Sequence, residues 1–243
     1  MKTRLLIVVL FCLQNLNLTA QYVHAHNDYE HDFPFWEAYT AGVKSIEADV
    51  FELNGQLLVA HNREDVGEER SLESLYLKPL SKVIQASGFT VLQLLIDFKT
   101  EAKPTLQALM TLLESYPQLT KNRRLTLTIS GNRPEASKYQ EYPDFIQFDH
   151  QDFKKWPSSN ENIALLSLPF YKFSLWKGDS PLPEKDRIKL QEAIEAAHER
   201  SLPIRFWATP DTALAWETLQ ELGVDFINTD RPYDCVNFLK QFE

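Results

Sequence analysis

Cysteine is nearly absent from this chain of 243 residues, which holds only Cys12 and Cys235. Cys12 falls in the opening twenty residues, so the rest carries one thiol and no internal disulfide, and stability has to come from a packed core. Long apolar runs are missing as well. The run from Leu5 to Leu13 is about nine residues, against the roughly 20 that a spanning helix needs, so it does not read as a transmembrane anchor. Cations are in deficit: 25 Lys and Arg stand against 34 Asp and Glu, a formal charge of −9, which argues against nucleic acid as a partner. No low-complexity or linker stretch divides residues 21–243.

The first twenty residues have their own pattern. Lys2 and Arg4 precede the apolar run and a small residue, Ala20, closes it, the layout of a secretory signal peptide over residues 1–20. The expected mature domain is then 21–243, secreted or periplasmic. Losing Lys2 and Arg4 leaves 23 basic side chains against 34 acidic ones, near −11. With 44% hydrophobic and 12% aromatic residues, the chain is rich enough to fill a large core.

Short β-rich runs alternate with longer segments of helical period, a rhythm that predicts parallel strands joined by crossover helices. Strands are expected over 22–26, 43–51, 90–98, 124–130, 144–149, 162–168, 203–208 and 225–228. Eight strands point to an α/β fold of the (β/α)₈ TIM-barrel type in a single domain. Helices are expected over 103–115, with Pro104 in the first turn, over 184–200, and over 211–222 with Gly223 as the stop. Asn54-Gly55 marks a hairpin after the second strand, with a short return strand ending at His61.

A barrel builds its chemistry at the C-terminal strand ends. Those ends carry His24 and His26, Glu47 and Asp49, Asp97 and Lys99, Ser130 and Asn132, Asp149 and His150, Trp207, and Asp230. The unusual feature is carboxylates set inside apolar strand patterns, "SIEADV" and "LLIDFK". Glu47 and Asp49 are two apart and so project from one face. Together in a barrel mouth they repel, and burial makes ionising either one costly. A hard cation, Mg²⁺ or Ca²⁺, relieves both penalties, with Asp97 as third oxygen donor. The alternative is a buried ion-pair network with Lys44, Lys99 or arginines. Lys99, on the same face as Asp97, can grip an anionic substrate oxygen. His61 is a candidate general acid or base, because an imidazole titrates near neutral pH.

In order along the chain, "HAH", "GVKSIEADV", "NGQLLVAH" and "LLIDFK", with "IRFWATPDTALAWETLQELGVDFINTDRP" near the end, resemble the glycerophosphodiester phosphodiesterase family, within the superfamily that includes phosphatidylinositol-specific phospholipases C. The resemblance spans most of residues 22–233. It implies Glu47, Asp49 and Asp97 as metal ligands, His61 as a catalytic histidine and Lys99 on the phosphate. For the other histidine it leaves His24 and His26 open. "HN" at His26-Asn27 is similar to the phospholipase C pattern, in which the histidine is catalytic and the asparagine joins the metal. The phosphodiesterases show Arg-Gly after the first histidine, and that arginine is missing here. Asn62 stands where the family commonly has an aspartate.

The implied function is metal-dependent cleavage of a glycerophosphodiester or related phospholipid-derived phosphodiester by histidine acid/base catalysis, with a small or lipid-derived substrate. Trp207 is a candidate to flank the leaving group and Arg133 to shape the substrate pocket. Two other readings compete. An "HxH" closing the first strand is also how amidohydrolases and histidinol-phosphatase-type metallohydrolases begin, though strand six lacks a histidine and strand four a lysine. The second competitor is a non-catalytic binding barrel with structural Ca²⁺.

Overall fold

The computed structural model describes residues 21–242. Nine strands form one sheet: β1 (Tyr22–Ala25), β2 (Ser45–Leu53), β3 (Gln56–Val59), β4 (Leu92–Phe98), β5 (Leu125–Gly131), β6 (Ile146–His150), β7 (Ile163–Pro169), β8 (Ile204–Trp207) and β9 (Phe226–Thr229). In space they run β1-β9-β8-β7-β6-β5-β4-β2, and β1 pairs with β2, so eight parallel strands close on themselves. This is the expected (β/α)₈ barrel. The hairpin strand β3 lies antiparallel on β2 outside the ring. Its turn is Asn54-Gly55, both with positive φ (54° and 82°), the geometry that a tight two-residue hairpin requires.

The helices are α1 (Trp36–Ala41), α2 (Lys78–Val83), α3 (Ala102–Leu113), α4 (Pro117–Thr120), α5 (Glu184–His198), α6 (Ala213–Glu221) and α7 (Pro232–Leu239). The three expected helices are α3, α5 and α6, and Pro104 sits in the first turn of α3. Among the described residues the β5–β6 connection has only a 3₁₀ segment, and β6 runs to β7 without a helix.

Strand alternation divides the side chains into two sets. Ile46, Ala48, Leu94, Ile96, Ile129, Phe148, Phe206 and Ile227 are buried in one continuous core with helix residues such as Leu106, Leu109, Leu190 and Leu219. The opposite faces are polar and equally buried: His24, Ser45, Glu47, Asp49, Gln93, Thr128, Ser130, Asp149, Ser167, Arg205 and Asn228. Hydrogen bonds cross from strand to strand through them. Gln93 Nε2 donates to Ser45 Oγ (2.8 Å) and Thr128 Oγ1 donates to Gln93 Oε1 (3.1 Å). Leu95, Leu165 and Phe226 form a small separate apolar cluster with Tyr22 and Ala164 against it. The barrel is thus apolar outside, under its helices, and mostly polar within, with Leu95, Leu165 and Phe226 as an apolar patch on the inner faces.

Candidate active site

Register brings the acids together. On β2 and β4, Asp49 stands opposite Asp97, with Glu47 one pleat below Asp49. Glu47, Asp49 and Asp97 each offer an oxygen within 4.8 Å of the others. Burial raises the Asp49 pKa to about 6, and the neighbouring Glu47 adds to it; burial and Glu47 likewise lift Asp97. Glu47 is the exception. Burial alone would raise it, but the Arg205 guanidinium and the His24 hydrogen bond hold it well below the usual carboxylate range.

Two cations are built into this cluster. Lys99 Nζ lies 2.8 Å from Asp49 Oδ2 and 3.1 Å from Asp97 Oδ1. Arg205 Nη1 lies 2.6 Å from Glu47 Oε2 and also contacts His24 Nε2, while its Nη2 is 4.0 Å from Asp149. Four acids, Glu47, Asp49, Asp97 and Asp149, therefore face two permanent cations, leaving two negative charges uncompensated. Asp49 divides its oxygens: Oδ2 is taken by Lys99 and by the Tyr29 phenol (2.7 Å), while Oδ1 is buried with no hydrogen-bond partner among the described residues. An orphaned carboxylate oxygen, a three-acid cluster and a residual charge of −2 together fit a hard divalent cation.

The two N-terminal histidines have different surroundings. His24 is wholly buried, with Nδ1 2.7 Å from Ser45 Oγ and Nε2 2.7 Å from Glu47 Oε2. Burial first, and Arg205 second, lower its pKa to about 3. A ring sealed and bonded at both nitrogens cannot exchange a proton with a substrate. His26 keeps an edge to solvent. Its Nδ1 is 2.7 Å from Asp230 Oδ1 and its Nε2 is 4.0 Å from Glu47 Oε1. Burial pulls its pKa down, but the Asp230 hydrogen bond and the Glu47 charge outweigh that and leave it above the ordinary value.

His61 follows β3 and is half exposed, with Nδ1 3.0 Å from the Tyr29 oxygen and 3.6 Å from Asp49 Oδ2. A cavity of about 490 Å³ opens beside it, lined in part by Tyr29, His31 and Arg70. A cavity of about 650 Å³, lined by His198, Pro203, Gly223 and Asp225, lies at the opposite, N-terminal end of β8 and β9, away from these groups.

The remaining expected site residues are distributed unevenly. Asn27, in the left-handed region (φ 48°), points Oδ1 at the Tyr29 hydroxyl (2.7 Å), next to Asp49. Trp207 ends β8 and meets Tyr171 edge to face at 5.5 Å. Arg133 is turned away: Nε donates to the Tyr139 hydroxyl (2.9 Å) and Nη1 to the Gly131 carbonyl (3.1 Å), so its guanidinium braces the β5–β6 loop. Sequence reasoning passed over Tyr29 and Arg205. The signal for Arg205 was present, since a charge inside the apolar strand "IRFW" has the same anomaly as Asp97 inside "LLIDF". Tyr29 carried no comparable mark.

A profile described as the AIM6-like phosphodiesterase domain matches residues 14–91. A protein of Arthroderma benhamiae, named altered inheritance of mitochondria protein 6 homolog, is 30% identical over 254 residues, covering 86% of this chain and 80% of its own length. The Kluyveromyces lactis protein named altered inheritance of mitochondria protein 6 is 27% identical over 299 residues, covering 89% and 71%. Among solved structures, a glycerophosphodiester phosphodiesterase from Parabacteroides distasonis superposes with a TM-score of 0.65 at 14% identity, covering 92% of this chain and 98% of that one. A calcium-dependent phosphoinositol-specific phospholipase C from a Pseudomonas species gives 0.54 at 13%, covering 88% and 89%. At such identities the structural likeness speaks for the fold. By sequence the relatives carry the AIM6 name and not that of the glycerophosphodiesterases. Their naming for mitochondrial inheritance overturns the secreted or periplasmic location expected from the sequence. The signal-peptide segment 1–20 itself lies outside the described residues.

Proposed function

Because the chain belongs to the AIM6-like phosphodiesterase family, we propose that it cleaves phosphodiesters at the C-terminal mouth of its barrel, with His26 and His61 moving the protons and Glu47, Asp49 and Asp97 holding a divalent cation. The observation that carries this reading is the pairing of a three-acid cluster, in which the buried Asp49 Oδ1 has no hydrogen-bond partner among the described residues, with two imidazoles that each keep access to solvent.

Such a cation, Mg²⁺ or Ca²⁺, supplies charge neutralisation and orientation of the phosphodiester when bound. The chain's own residues do the rest. In hydrolysis a water oxygen forms the new bond to phosphorus as the ester P–O bond breaks. One imidazole takes the water proton and the other gives its proton to the departing alkoxide. Each positioned group contributes about 10²–10⁴-fold. Asp230 orients His26 and, with Glu47, favours its charged form. Lys99 keeps its charge because Asp97 and Asp49 more than offset its burial, and it can share that charge with a phosphoryl oxygen. We assign Asn27 to the cation beside Asp49, a reading supported by its Oδ1 lying 2.7 Å from the Tyr29 hydroxyl that also meets Asp49. Trp207 and Tyr171 offer an aromatic wall to the leaving group, and a glycerophosphodiester or related phospholipid-derived diester is the substrate class we favour. His24 holds Glu47 in place from below and takes no proton.

Incubating the purified chain with a panel of phosphodiesters, in Mg²⁺ or Ca²⁺ and in chelator, tests the reading. Head-group release that needs the cation and collapses in His61→Ala with cation binding intact is the expected result. Tight Zn²⁺ on histidines would favour the metallohydrolase alternative, and cation binding without any turnover would favour the binding barrel.

A further inference from the structure

The Tyr29 side chain touches three of the groups placed in the site. Its hydroxyl oxygen lies 2.7 Å from Asn27 Oδ1, 2.7 Å from Asp49 Oδ2 and 3.0 Å from His61 Nδ1. The left-handed turn at Asn27 brings it there, and Arg70, donating to the Tyr29 carbonyl, ties the backbone in place.

A phenol has one proton to give. Two of its three partners, the Asn27 amide oxygen and the Asp49 carboxylate, can only accept. The proton therefore goes to one of those oxygens, and the anionic Asp49 is the stronger acceptor. His61 must then be the donor to the phenol oxygen, which still has lone pairs free. Asp49 Oδ2, at 3.6 Å from the same ring nitrogen, favours a proton there as well.

We propose that Tyr29 is a positioning residue that fixes the tautomer of His61, through the chain His61 Nδ1–H to Tyr29 oxygen and Tyr29 O–H to Asp49 Oδ2. His61 Nε2, which has no hydrogen-bond partner among the described residues, is then the bare nitrogen and the proton acceptor. His26, whose Nδ1 is held by Asp230, becomes the proton donor. This division of labour rests on the phosphodiesterase reading; the location of the proton does not.

The experiment is long-range ¹H–¹⁵N NMR of the imidazole rings in the metal-free full chain, at a pH well above the ordinary imidazole value of about 6.5. His61→Gln assigns the His61 signals. The expected wild-type spectrum shows His61 as the Nδ1–H form, and Tyr29→Phe moves it toward the Nε2–H form. A wild-type His61 carrying its proton on Nε2 overturns the proposal even if Tyr29→Phe fails to fold, and so does a ratio unchanged in a folded Tyr29→Phe. In turnover, Tyr29→Phe should lower kcat by about 10–100-fold with KM nearly unchanged. The predicted tautomer in a chain that cleaves no phosphodiester would leave the relay standing and remove the proposed function.

Discussion

Arg205 Nη1 and Glu47 Oε2 stand 2.6 Å apart with both side chains buried, although 158 positions separate them in sequence. This pair locks β8 to β2 across the barrel and fixes one member of the acid cluster. Removing one half of a buried pair leaves the other charge without compensation, which costs about 3–5 kcal/mol. Arg205→Met should therefore lower the unfolding free energy by that amount in urea titration. Arg205→Met combined with Glu47→Gln should recover part of it. A loss below about 1 kcal/mol in the single variant would mean that the pair is not what secures Glu47.

Gly131 closes β5 with φ at 66°, hard against Asp97. A Cβ there would press on Asp97 Oδ1 and lie 2.6 Å from the Phe98 carbonyl oxygen. Gly131→Ala forces either the backbone or the carboxylate to move, with a strain of about 1–3 kcal/mol. Isothermal titration with Ca²⁺ or Mg²⁺ should find affinity reduced by about 10–100-fold, as for a displaced ligand. Unchanged affinity would exclude Asp97 as a ligand held in this position.

The fold was legible because its signals are local. Every expected strand is present, and the hairpin and the three long helices fall where period, Pro104, Asn54-Gly55 and Gly223 place them. The short helices α1, α2, α4 and α7 went unread because one or two turns give little periodicity, and packing sets their ends. The acid cluster was legible for the same local reason: two residues of spacing put Glu47 and Asp49 on one face, and Asp97 interrupts an apolar run. The choice between His24 and His26 was not. It depends on Arg205 and Asp230, which closure of the barrel brings from far along the chain. Tyr29 depends in turn on a single left-handed residue, Asn27, that redirects the loop.

His24 gives the stability curve a recognisable slope. Its pKa falls from 6.5 in the free side chain to about 3, through burial first and Arg205 second. Between those values the unfolded chain binds a proton that the folded chain refuses, so His24 makes stability fall as pH drops, by about 1.4 kcal/mol per unit. Asp49, raised from 3.8 to about 6 by burial and Glu47, acts oppositely over its own window, where the folded chain holds the extra proton. His24→Gln removes only the first effect. The pH dependence of its unfolding free energy should differ from wild type by one proton between about pH 6.5 and 3. Parallel curves would contradict a neutral, sealed His24.

Cation binding should carry the signature of Asp49. Its carboxyl, raised to about 6 by burial and by Glu47, must be ionised before Oδ1 can serve as a ligand. Above that value the ligand is ready and affinity is flat. Below it each cation must displace a proton, so affinity falls by about tenfold per pH unit. Asp97, shifted in the same direction, steepens the fall. Calorimetric titrations at about pH 7.5 and about pH 5, in buffers of different ionisation enthalpy, count the protons released. The expected count is near zero at the higher pH and one or more at the lower, with the Asp49 proton lost from the count in Asp49→Asn. Binding that is indifferent to pH across this range would place the cation away from Asp49, and with it away from the histidines that the proposed chemistry requires.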